Sequence, residues 1–119
     1  MDSKLPHVET CGSLEEVRTH IDAIDERIVA LLAERGGYVH QAARFKRDPE
    51  AVRAPARVEQ VIARVVTLAQ HTGANPHVTA QVYRAMIDAF IHAELTEYAN
   101  VGAANVIASV QGAAGRAHA

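Results

Sequence analysis

Leu14, Val17, Ile21, Ile24, Ile28 and Leu31 recur at alternating intervals of three and four residues. That spacing constrains the chain more than any other feature. Positions three and four apart share one face of an α-helix. An apolar series of this kind is therefore a single narrow seam, the sort that packs along another helix. Asp22, Asp25, Glu26 and Arg27 lie off it. Ser13 and Glu16 supply the S-x-x-E capping box that opens such a helix. The next place on the seam is Arg35. Two glycines follow, and the pattern resumes through Tyr38, Ala42 and Phe45 to Lys46. A helix that sets cations on the face it buries needs a reason for them.

The rest of the chain also reads as helix. The segment "RDPEAVRAP" breaks the first pattern. Pro49 biases Asp48 away from helix, and Pro55 suits the first turn of a new one. A second helix then carries Val58, Val61, Ile62, Val65 and Leu68 and stops near Gly73. Asn75 and Pro76 form an N-cap and a first-turn proline. The third helix runs through Val78, Val82, Tyr83, Met86, Ile87, Phe90 and Glu94 towards Tyr98. No strand pattern and no internal repeat occurs. The expected organisation is all-α: an arm over 1–12, a three-helix domain over 13–98, and a loosely packed small-residue tail over 99–119. A first helix of about 33 residues spans about 50 Å. Two shorter helices cannot cover it, so the seam calls for a second copy of the chain, an intertwined homodimer.

Composition narrows the function. The chain is 49% hydrophobic with a formal net charge of −2 and a pI near 6.4, so no basic field invites nucleic acid or an anionic membrane. No apolar run approaches the roughly 20 residues of a membrane span. The N-terminus lacks the apolar core of a signal peptide. Cys11 is the sole cysteine, which rules out an internal disulfide. A cytoplasmic, soluble protein is expected. Asp88 and His92 have i, i+4 spacing but no evident third ligand, so neither metal nor cofactor is expected. Phosphate-loop and nucleophile–base motifs are absent.

The cations remain. Arg35 and Lys46 are 11 positions apart, which on one helix puts them within about 20° of the same face and about 16 Å apart along the axis. Two long side chains there can close on a small anion. Arg18 lies about 25 Å before Arg35 and on another face, so it can serve such a ligand only from a partner chain. Arg57 opens the second helix, and Glu94 extends the stripe of Tyr83, Ile87 and Phe90. Arginine grips carboxylates in bidentate fashion and lysine acts as a point charge. Each residue also has a plainer reading. Arg18 and Arg57 can be solvated residues at helix starts. Gly36–Gly37 can end the first helix, leaving Arg35 as a C-terminal cation. Lys46 can belong to a wet basic run with Arg44 and Arg47, and Glu94 can be an edge residue.

In the order "LEEVRTHIDAIDERIVALLAER", "ARFK", "APARV" and "VYRAMIDAFIHAEL", the chain resembles the all-helical (type II) chorismate mutases, closest to the branch with the isochorismate pyruvate lyases. The resemblance covers roughly residues 13–98. It implies an intertwined dimer of three-helix chains with two sites for a small dicarboxylate. Arg18 would come from the partner to bind a substrate carboxylate. Arg35 would bind a carboxylate within its own chain, and Lys46 the ether oxygen and a carboxylate. Arg57 would match the arginine opening the second helix, and Glu94 would face the ether oxygen. The glycines would lie within the long helix, against their propensity. Two departures stand out. Mutases of the family usually carry glutamate after the second-helix arginine; here Val58 stands there, as in the lyases. Bacterial members usually have glutamine at the place of Glu94, whereas fungal mutases have glutamate. The first expectation is the commoner activity, chorismate to prephenate. The alternatives are the lyase, giving salicylate and pyruvate, and a non-catalytic helical dimer that binds a metabolite or protein partner.

Overall fold

The computed structural model describes residues 6–111, without the side chains of residues 98 and 100–111. Part of the expected arm and the end of the expected tail, residues 1–5 and 112–119, lie outside the described residues. All regular structure within them is helical: α1 Leu14–Ala43, α2 Pro49–Arg53, α3 Pro55–Thr72 and α4 Pro76–Gln111.

Helix α1 begins as its capping box dictates. Ser13 Oγ accepts from the Glu16 amide at 3.0 Å, and Glu16 Oε1 accepts from the Gly12 amide at 2.8 Å. The return bond reaches Gly12, one residue earlier than in the usual box. The helix then runs unbroken through Gly36 and Gly37. It ends at Ala43, not at Lys46 as the seam suggested. Over the next three residues the amides of Arg44, Phe45 and Lys46 donate to the carbonyls three places back, at 3.1, 3.0 and 3.1 Å. The chain tightens there because Pro49 holds Asp48 extended, at φ −152° and ψ 171°.

The segment read as a plain break contains α2. Asp48 Oδ1 accepts from the Ala51 amide at 2.8 Å and Pro49 takes the first helical position, so the proline starts a helix as well as stopping one. Val52, 3% exposed, pins α2 to the core. Ala54 then adopts φ 39° and ψ 60°, the left-handed region, closing α2 and opening α3.

Helices α3 and α4 form the packed hairpin. Val61, Ile62, Val65 and Ala69 are the buried residues of α3. Gly73, at φ 85°, ends α3 by donating to Ala69 O at 2.9 Å. Asn75 Oδ1 then caps α4, accepting from the amides of His77 and Val78. Arg84 of α4 donates two hydrogen bonds to the Glu59 carboxylate of α3, at 2.9 and 3.0 Å. Helix α4 continues past Tyr98, where the sequence suggested a stop, to Gln111. The stretch is alanine-rich and free of proline, and alanine has the highest helix propensity.

Helix α1 is packed differently. None of its residues is buried. Along its seam Ile21 and Ile28 are each 49% exposed and Leu31 is 61% exposed. The radius of gyration is 19.6 Å, against about 13.5 Å for a compact domain of this length.

Candidate active site

Arg35 sits where α1 leans on α4. Its guanidinium lies 5.9 Å from the Tyr83 ring centroid and 6.0 Å from that of Phe90, within range of a cation–π contact with each. Gly36 permits that approach. A Cβ there would meet Phe90 Cε1 at 3.1 Å, whereas one on Gly37 would meet nothing within 4 Å. A helical glycine costs about 1 kcal/mol relative to alanine; at Gly36 the close approach of Phe90 accounts for it.

Lys46 follows α1, and its Nζ stands 3.7 Å from Glu94 Oε2 on α4. That distance is an ion pair and not a hydrogen bond. Glu94 is 9% exposed, and its Oε2 is buried without a hydrogen-bond partner. A buried polar atom left unpaired is costly. In a cavity wall it marks a position that a ligand can complete.

Arg57 stands in the first turn of α3, where its Nη1 donates to Gln60 Oε1 at 2.6 Å. Val58 follows it and is half-buried. With Arg35, Lys46 and Glu94 these two residues line one cavity of about 420 Å³, walled on its apolar side by Val61, Ile87 and Phe90. The volume is that of a small-molecule site. Five of the six candidates are thus brought together. Arg18 is not among them. It is exposed near the start of α1, about 25 Å along the helix axis from Arg35.

Sequence reasoning missed Arg53. It ends α2 and joins the same wall, so the cavity holds four cations, Arg35, Lys46, Arg53 and Arg57, against the single carboxylate of Glu94. The whole chain has a net charge of −2, so the positive charge is a local concentration suited to an anion with more than one carboxylate. The repeated arginine in "VRAPAR" was the available signal. It carries weight only once α2 is known to fold against the core.

Asp88 and His92, weighed above as a ligand pair, are 3.6 Å apart and both exposed. Donor atoms of Cys11, Glu16 and His20 come within 4.8 Å of one another at the start of α1, where Glu16 already serves the helix cap. No helix among the described residues is long and apolar enough to cross a membrane.

Residues 17–95 match the model of the chorismate mutase type II family. The chain belongs to that family. The match spans every candidate residue from Arg18 to Glu94. The chain is also 38% identical over 65 residues to the isochorismate pyruvate lyase of Pseudomonas aeruginosa, an alignment covering 55% of this chain. The matched region spans 64% of that relative's length. The all-helical architecture agrees with the family.

Proposed function

We propose that the chain is an isochorismate pyruvate lyase, working as an intertwined homodimer in which each cavity receives Arg18 from the partner. The observation that carries this reading is the cavity itself: cations on an apolar wall, one buried carboxylate, and Val58 beside Arg57. Glutamate at the place of Val58 would read a ring hydroxyl in the mutases that the chain resembles; valine matches the lyase branch. Similarity to a lyase supports the same choice over the mutase, which the sequence alone put first.

The chemistry asks for what the cavity offers. Loss of pyruvate from isochorismate, like the rearrangement of chorismate, is pericyclic and requires no nucleophile. The enzyme contributes by holding the side chain over the ring and by stabilising negative charge that grows on the breaking ether oxygen. Lys46 is the donor for that oxygen. Arg35, braced by two aromatic rings, and Arg57 hold carboxylates. The uncovered seam of α1 and the 19.6 Å radius of gyration support the dimer. An apolar face of that length stays in water unless a second chain covers it, and an antiparallel partner brings Arg18 towards the opposite cavity.

One observation favours the mutase as a second reading: Glu94 stands where fungal mutases carry glutamate. Incubating the purified enzyme separately with each substrate decides between them. Salicylate and pyruvate from isochorismate are expected. Prephenate from chorismate with no salicylate from isochorismate would establish the mutase. Binding of either substrate without turnover would establish the non-catalytic dimer.

A further inference from the structure

We infer that Arg53 is a specificity-determining residue, which binds one carboxylate of the substrate at the cavity rim and so selects a dicarboxylate over a monocarboxylate. The inference rests on the reading of this cavity as a chorismate-class site. Three observations lead to it.

The first is pairing. Arg35 is engaged by Tyr83 and Phe90, Lys46 by Glu94, and Arg57 by Gln60. Arg53 lines the same cavity, yet among the described residues no carboxylate, carbonyl or ring engages it. Its guanidinium keeps all five donors for a ligand.

The second is position. Arg53 is exposed as well as cavity-lining, which puts it at the rim. A carboxylate extending out of the apolar part of the cavity meets it there. A guanidinium fork matches a carboxylate with two parallel hydrogen bonds.

The third is how the backbone holds it. A helix of five residues cannot sustain itself. Here it is held at both sides of Arg53. Val52, before it, is buried to 3% exposure. Ala54, after it, is the one non-glycine residue at positive φ among the described residues, and Pro55 follows with its φ fixed. Left-handed backbone is strained at a residue with a Cβ. Strain of this kind persists where the surroundings over-determine it, and it gathers at functional sites. The result is a cation presented at the cavity on a short, doubly anchored segment.

The test compares wild type, Arg53→Ala and Arg53→Lys on whichever substrate is turned over, with isophthalate and benzoate as competing di- and monocarboxylates. A bond present in both ground and transition states raises KM and spares kcat when removed. Arg53→Ala should raise KM about 10-fold, equivalent to about 1.4 kcal/mol, with kcat within about twofold. Arg53→Lys should recover part of the loss, and the difference should shrink as salt screens the exposed pair. Isophthalate should lose affinity in Arg53→Ala while benzoate does not. Unchanged KM together with unchanged preference for isophthalate would overturn the role. If wild type turns over neither substrate, the lyase or mutase reading falls by itself, and isophthalate binding measured by calorimetry judges Arg53 separately.

Discussion

Gly36 and Gly37 are neighbours in one helix, and alanine should act on them in opposite ways. Replacing a glycine in a helix interior with alanine stabilises by about 1 kcal/mol, because less backbone entropy is lost on folding. Gly37→Ala should show that gain, since its new methyl meets nothing within 4 Å; about 1 kcal/mol corresponds to a rise in Tm of about 4 °C for a chain of this size. At Gly36 the methyl would sit 3.1 Å from Phe90 Cε1 and 3.4 Å from Cζ. Carbon atoms prefer about 3.5–4.0 Å, so the ring has to withdraw by about half an ångström. Overpacking of this kind costs about 1–3 kcal/mol. Net of the propensity gain, Gly36→Ala should be destabilising by about 0–2 kcal/mol. Phe90 is also one of the two rings that brace Arg35, so its shift moves the cation proposed to hold a substrate carboxylate. A misplacement of that scale should lower kcat/KM about 10-fold. The assay is urea unfolding followed by far-UV circular dichroism at fixed protein concentration, since the stability of the proposed dimer would depend on it, together with initial rates. Equal stabilisation by the two substitutions, with activity unchanged in both, would refute the role assigned to Gly36.

Arg18→Ala and Arg35→Ala should each be nearly inactive, while their mixed dimer regains one intact site; a mixture that stays inactive after demonstrated subunit exchange would exclude sharing of Arg18. Lys46→Ala should lower kcat by about 100-fold or more, the scale for losing one donor to a developing oxyanion; a change in KM alone would remove Lys46 from that role. Glu94→Gln should retain or raise kcat, because the amide donates where the carboxylate repels, whereas Glu94→Ala should lower it; identical rates in the two variants would count against contact with the ether oxygen. Finally, the hydrogen bonds and charge of Arg84 hold the Glu59 carboxyl below its usual range, and Glu59 in turn raises Arg84. A carboxyl depressed on folding adds stability above its unfolded pKa and loses it as pH falls through the folded value. Glu59→Gln should therefore lose less Tm than wild type on acidification from neutrality through the carboxylate range; parallel Tm–pH curves would show that this exposed pair contributes nothing.

What the sequence determined alone is what local chemistry decides. Ser13 with Glu16, Gly73, and Asn75 with Pro76 act through backbone groups within a few residues, so these helix boundaries were readable. The three-and-four spacing on α1 and the apolar runs of α3 and α4 declared an all-helical chain, and the same spacing singled out Arg35 and Lys46. Other features needed the fold. Gly36–Gly37 end a helix by propensity but remain inside α1, and at Gly36 the reason is the approach of Phe90, a residue of another helix. Helix α2 is too short to form by itself and exists because Val52 is buried. Arg53 therefore had no place in a cavity until α2 was folded against α4. Lys46 and Glu94 meet only because the α3–α4 hairpin returns the chain to the end of α1. Caps and periodicity are local interactions, written in neighbouring residues. The cavity is a set of contacts between distant segments, and their separation is decided by how side chains of several helices fill the space between them.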